Sequence, residues 1–350
     1  MNLRSRQAGF SLMELMIGMV LGLIVVSGAV AIYLAASTSY SQVEQSAQMN
    51  ENSRFAEQVL TDALRHVGFM GEAGPGSIQE SVPPLPAIAN DCDGETRAEI
   101  YEIGSPIYAV TATAAASDPD INCFGALPEN NALAGTDILI MKSAVPTRVV
   151  DTDDDNVLDP PAGLVLAGKL WLLTNDDVGV MFDGDDTPPT ISTGGDVPDG
   201  AAWEYRYEVY FIRDFSDGDG KLMPSLSRFV LRESSVGGPM VLEREDLVPG
   251  VEDMRIRFGL DTTGGDGDVD LYSTVAEIQA SNNWDQIVSI EIAMLVSGSE
   301  ADPNYTDSNT YELAGFNNVV APDTREQHRR SVVRANVSLR NIKFRIRGPT

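Results

Sequence analysis

Between Leu15 and Val43 the chain carries no charged residue, and one carboxylate, Glu14, stands at the mouth of that run. About twenty apolar residues are enough for a helix to cross a bilayer. An ionisable group at the edge of such a segment costs a few kcal/mol unless something meets it, so Glu14 is a functional candidate by position alone. Arg4 and Arg6 precede the segment and no Lys or Arg follows before Arg54. That asymmetry puts the N-terminus on the cytoplasmic side. A cleavable secretory signal is the plainer reading, with Ala29-Val30-Ala31 as its cleavage motif. Such signals keep charge out of their apolar core, and Glu14 would lie within it.

The segment begins Gly9-Phe10-Ser11-Leu12-Met13-Glu14-Leu15. This resembles the class III signal of type IV prepilins and type II secretion pseudopilins. The resemblance implies a leader, residues 1–9, removed by a prepilin peptidase between Gly9 and Phe10, with N-methylation of Phe10. It also implies that Glu14 neutralises the terminal ammonium of a neighbouring subunit in a fibre.

Residues 10–36 read as a helix apolar on all sides, suited to lipid or to a fibre core. Gly18 and Gly22, four apart, permit close helix approach. Over 37–70 the pattern turns amphipathic. Phe55, Val59, Leu60, Leu64 and Val67 recur at three- and four-residue steps, with Glu51, Arg54, Glu57, Asp62 and Arg65 between them. Gly68 and Gly71 are stop signals. Residues 71–350 then form a head. Gly and Pro cluster between apolar runs, which predicts short strands joined by turns. Strand candidates are 137–142, 163–173, 203–213, 226–233, 253–260, 286–297 and 331–346, with 72–135 irregular and 174–202 looping out. Tyr205, Tyr207, Val209 and Phe211 share one face; Val288, Ile290, Ile292, Met294 and Val296 share another. Such alternation suits antiparallel sheet. The fold class expected is α+β and pilin-like: a long N-terminal helix packed on an antiparallel β-rich head.

Later motifs narrow the resemblance. Arg54-Phe55-Ala56 with Leu64-Arg65-His66-Val67-Gly68-Phe69 looks like the helix ending of the larger minor pilins and J-type pseudopilins. Leu247-Val248-Pro249-Gly250-Val251-Glu252 leading to Phe258, Trp284 before an apolar strand, and Val337-Ser338-Leu339-Arg340-Asn341 resemble PilW-type minor pilins. Residues 75–200 carry little that matches.

The chain has 52 acidic and 24 basic residues, a net charge of −28. Phosphate binding needs a basic footprint, so direct nucleic-acid binding is not expected. From Arg325 to Thr350 the balance reverses, with eight basic residues against Glu326 alone. These cations either meet acidic neighbours within the head or form a docking surface for another subunit. Cys92 and Cys123 are the only cysteines. In an oxidising periplasm they would form a disulfide closing a loop of about thirty residues, worth roughly 3–4 kcal/mol.

With His66 and His328 as the only histidines, neither a zinc site nor a Ser-His-Asp device is expected, and no phosphate-binding glycine loop is present. No enzymatic activity and no required cofactor are expected. Asp151, Asp153, Asp155 and Asp159 stand at calcium-loop positions, but Ala162 occupies the place of the bidentate glutamate. Asp214, Asp217 and Asp219 form a second group, and Asp261, Asp266, Asp268 and Asp270 a third. Each also reads as ordinary turn chemistry.

The resemblance implies a minor pilin in a tip or priming complex that initiates pilus assembly and supports twitching motility, adhesion or DNA uptake. Its partners would be the prepilin peptidase, other minor pilins, the major pilin and a tip adhesin. The location implied is the inner membrane, single-pass with a periplasmic head, and then the pilus of a Gram-negative cell. A J-type pseudopilin of type II secretion is the alternative.

Overall fold

The computed structural model describes residues 11–80, 85, 86, 88, 99–112, 132–213, 224–234, 238, 240–263, 265–319 and 325–342. Two units separate, Met1–Gln48 and Met49–Thr350. Helix α1 (Leu12–His66) runs through the first and into the second. In the first unit residues 11–40 are all exposed. By length and composition α1 can cross a membrane.

In the second unit α1 turns Ala56, Leu60, Leu64 and Val67 into the core. Val59 packs at the margin of this stripe. Phe55 was expected in it but stays 49% exposed. It lies one residue, about 100° of helix, away from Ala56. Past the helix Gly68 takes φ +77° and its N–H donates to the Lys142 carbonyl at 3.1 Å. This is the left-handed turn that ends helices at glycine.

The larger sheet has eight strands: β1 (Ile78–Glu80), β2 (Ile107–Thr111), β3 (Asp137–Val149), β4 (Leu170–Thr174), β5 (Gly179–Asp183), β6 (Ala201–Arg213), β7 (Ser225–Glu233) and β8 (Met240–Pro249). Their order is β1-β5-β4-β6-β3-β2, with β7 on β6 and β8 on β7. Among the described residues only the β1–β5 pair is parallel. Strand β6 organises the sheet. One edge pairs with β3; the other is shared between β4, at Ala201–Glu204, and β7, at Glu208–Arg213. Tyr205, Tyr207, Val209 and Phe211 lie in one core, as their alternation predicts, while Tyr210 and Ile212 enter a second core on the opposite face. Glu208 is therefore buried rather than water-facing, and it accepts from Arg228 Nη1 at 2.8 Å.

The smaller sheet comprises β9 (Val251–Leu260), β10 (Leu271–Thr274), β11 (Ile287–Ser297) and β14 (Arg330–Ser338), in the antiparallel order β10-β9-β11-β14. Helix α2 (Val275–Ser281) follows β10, and the hairpin β12 (Thr310–Leu313) and β13 (Phe316–Val319) precedes β14. Met254, Ile256 and Phe258 of β9 join Ile290, Ile292, Met294 and Val296 of β11 in one core with α1 and one face of the larger sheet. A bulge between Ile287 and Ser289 breaks the alternation, so Ile287 and not Val288 enters that core. Beyond β14, Asn341 Nδ2 donates to the Val67 carbonyl at 3.1 Å, tying the C-terminal segment to the end of α1.

Several strand boundaries differ from expectation. Only Leu170–Thr174 of 163–173 is strand. Gly163 and Gly168 have φ of +88° and +75°, which extended pairing does not tolerate. The segment 174–202 contains β5, and 72–135 contains β1 and β2. Strand β14 stops at Ser338. Strand β8 and helix α2 lie outside every expected element. Cys92 and Cys123 lie outside the described residues.

Candidate functional site

Two features carry the sequence-derived candidates: the start of α1 and the far end of the smaller sheet. At the first, the Ser11 N–H donates to Glu14 Oε2 at 3.2 Å and the Glu14 N–H donates to Ser11 Oγ at 3.2 Å. This reciprocal capping box satisfies two donors that a helix start leaves open, and it holds the carboxylate over the positive end of the helix dipole. Glu14 is thus fixed in the first turn, where it can also receive a cation. Gly9 and Phe10 lie outside the described residues. Leu12 is 78% exposed and Tyr33 72% exposed, at either end of the apolar run. A Cβ built on Gly18, Gly22 or Gly28 would meet nothing within 4 Å, so each leaves room for close approach of another helix.

At the second, buried ions converge where β9, β11 and β14 begin or end. Arg330 and Asp307 both have fully buried side chains, and Arg330 Nη1 donates to Asp307 Oδ2 at 2.9 Å. Arg330 Nε also donates to Glu252 Oε2. Glu252 Oε1 lies 3.1 Å from Arg325 Nε, and Arg329 Nη2 lies 3.0 Å from Asp302 Oδ2. Arg325 Nη2 donates to Ser297 Oγ at 2.9 Å, and Arg330 Nη2 to the Arg325 carbonyl at 2.9 Å. Burial works against the Asp307 charge, yet bonds from Arg330, the Asn309 N–H and Tyr311 hold its carboxyl below the usual range. Burial and the nearby arginines lower the His328 pKa, and its Nδ1–H donates to the Gly298 carbonyl at 2.8 Å.

The lattice explains the Gly250-Val251-Glu252 motif. Gly250 takes φ +85°, and a Cβ there would lie 2.7 Å from the Ser297 carbonyl oxygen. The close approach lets the Ser297 N–H donate to the Gly250 carbonyl at 2.8 Å. Two residues on, Glu252 reaches the arginines. Much of the C-terminal positive charge is therefore spent inside the head. Arg334 Nη2 donates to the Glu312 carbonyl at 2.8 Å, while Arg340 is exposed. In sequence the motif carried a resemblance to PilW-type minor pilins, but nothing there paired Glu252 with Arg330.

The aspartate candidates mostly brace loops. Asp151, Asp153 and Asp159 each bring one carboxylate oxygen within 4.8 Å of the others; Asp155 is not in that group. Asp151 accepts the Asn156 N–H at 2.6 Å, Asp159 the Thr152 N–H at 2.8 Å, and Asp155 the Val157 N–H at 2.8 Å. The neighbouring Asp155 charge, then slight burial and the Asp159 and Asp151 charges, raise the Asp153 pKa. Calcium takes about six to eight oxygens. Asp151 and Asp159 close the loop, and together with Asp153 they are spaced so that they could hold a cation. In the third group Asp261 accepts the Gly265 and Gly267 N–H groups, and Asp270 those of Thr262 and Thr263. The second group lies outside the described residues.

Comparison with known proteins matches residues 209–341 to the family described as type IV pilus-assembly protein W. Residues 4–30 match the prokaryotic N-terminal methylation motif. No curated protein and no solved structure matches the chain. The first match covers β7 to β14 and the buried ion lattice; the second covers Glu14 and the start of α1.

Proposed function

We propose that the chain, which matches the type IV pilus-assembly protein W family over residues 209–341 and the N-terminal methylation motif over residues 4–30, is a PilW-type minor pilin serving in a tip or priming complex that starts pilus assembly. In this reading the peptidase removes residues 1–9 by hydrolysing the Gly9–Phe10 bond, and the freed Phe10 amine is methylated. The helix then passes from the inner membrane into the fibre, where other pilin helices replace lipid. Glu14 meets the amine of a neighbouring subunit. Burying either charge without the other would be strongly unfavourable, so the pair enforces axial register. Twitching, adhesion and DNA uptake would depend on the fibre so started, and the bulky head suits a tip position better than repetition along a thin filament.

The observation that carries this reading is the first turn of α1. A carboxylate is held at the entrance of a helix whose apolar surface, from Leu12 through Tyr33, is exposed among the described residues. The test is mass spectrometry of the mature N-terminus combined with pilus counts. The expected result is a methylated start at Phe10, and a Glu14→Ala variant that is processed normally but leaves cells without pili. A mature chain beginning elsewhere, or normal pilus number in the variant, overturns it. A deletion that abolishes type II secretion while motility persists would move the chain to the pseudopilin role.

A further inference from the structure

Beside the end of α1 the head holds a cavity of about 400 Å³. Pro106, Trp284 and Ile342 supply apolar lining; Asp261, Asp285 and Gln286 supply the polar part. Pro106 and Ile342 are also the side chains nearest Gly68, which fixes the cavity at the point where α1 finishes.

Its chemistry is one-sided. No Lys or Arg lines it among the described residues. Asp261 is only 5% exposed, and its two oxygens accept the Gly265 N–H at 3.1 Å and the Gly267 N–H at 2.6 Å. Neither bond cancels its charge. Asp285 is exposed and forms no ion pair among the described residues. Gln286 Oε1 is a buried acceptor without a hydrogen-bond partner. The apolar wall is rigid: Trp284 packs 4.6 Å from the Tyr108 ring and 5.7 Å, edge to face, from Phe258. Here a fixed carboxylate, a free carboxylate and an aromatic wall share one concave site.

We propose that this cavity receives a basic side chain, an arginine or lysine, from the head of a neighbouring pilus subunit. An arginine suits it best, because the planar guanidinium bonds carboxylates in pairs while its stem and face lie on apolar and aromatic surface. A cavity of this size takes a whole side chain with part of its backbone. The net charge of −28 draws a cationic partner to the surface and repels an acidic one. The neighbour in this inference rests on the assembly role proposed above; the ligand chemistry does not.

The test uses the full-length chain in detergent. N-acetyl-arginine amide is titrated while Trp fluorescence is followed, with the neutral isostere N-acetyl-citrulline amide as control. Trp171 and Trp203 are buried, so Trp284 reports the site. A saturable change is expected with the arginine probe and none with citrulline. Removing one of two carboxylates in Asp285→Asn should weaken binding about tenfold, a typical worth for a charge-assisted bond, with Tm unchanged. Equal response to both probes, no saturation, or unaltered binding by Asp285→Asn overturns the site. Truncation after Ile342 that raises probe affinity also overturns it, because the chain's own Lys343, Arg345 and Arg347 would then be the occupant. For the partner, a photo-crosslinking residue is placed at Ser105, which also lines the cavity. Crosslinks to another pilin head are expected, and their loss in Asp285→Lys. If no crosslink forms while Phe10 processing and pilus formation are intact, the docking inference fails and the pilin assignment stands.

Discussion

Glu252, near the start of β9, and Arg330, at the start of β14, are ion-paired across 78 residues of sequence, with Arg330 Nε donating to Glu252 Oε2. The same carboxylate holds Arg325. One acidic side chain thus bridges two guanidinium groups, one of which, Arg330, is also held by Asp307. Removing it in Glu252→Ala should cost about 3–5 kcal/mol, because Arg325 loses this carboxylate and Arg330 keeps only Asp307. The urea midpoint of the full chain should fall accordingly.

Gly250 is expected to be irreplaceable. A side chain there meets the left-handed strain of φ +85° and the Ser297 carbonyl at once. The strain alone is about 1–3 kcal/mol. Gly250→Ala should therefore lower Tm with a matching loss of stability. An alanine variant as stable as the parent would show that the β9–β11 approach is not rigid.

Stability should also depend on pH through Asp253. Burial pushes its carboxyl up to about 6, against Arg255 3.0 Å away, with Asp137 adding a like charge. The folded value lies above the unfolded one. The folded state therefore binds more protons between about pH 4 and pH 6. The stabilisation is fully present below the unfolded pKa and is lost as pH rises through about 6. Its full size is about 3 kcal/mol. Burial raises the Asp137 pKa in the same direction. Denaturation of the full chain at stepped pH should show this loss, and Asp253→Asn should flatten the profile.

A disulfide between Cys92 and Cys123 remains a proposal. Its removal in Cys92→Ser should lower stability by roughly 3–4 kcal/mol, the entropic worth of a loop of about thirty residues. Non-reducing mass spectrometry should find both thiols unavailable to alkylation in the parent.

Legibility in the sequence followed the range of the interactions. The anchor was readable because its signal is local: Glu14 beside Leu15 and twenty-odd apolar residues. The core-facing residues of β6 and β11 were readable from alternation at Tyr205 to Phe211 and Ile290 to Val296. Helix α2 was missed although Thr274 and Glu277 form a capping box, with the Thr274 N–H donating to Glu277 Oε2 at 2.7 Å. Seven residues give too short a period to stand out. Phe55 was misplaced because an apolar residue one step off the stripe looks the same in a list of spacings. The Glu252–Arg330 pair and the cavity beside Trp284 were not legible at all. Both depend on which distant loops the two sheets bring together.

The bond from Asn341 to the Val67 carbonyl means that the head cannot be finished early. Ala56, Leu60 and Leu64 emerge near the start of synthesis, but residues that cover their end of the core are made almost three hundred positions later. Until the last residues are made, the apolar stripe of α1 lacks that part of its cover, so the core closes only once the whole chain is present.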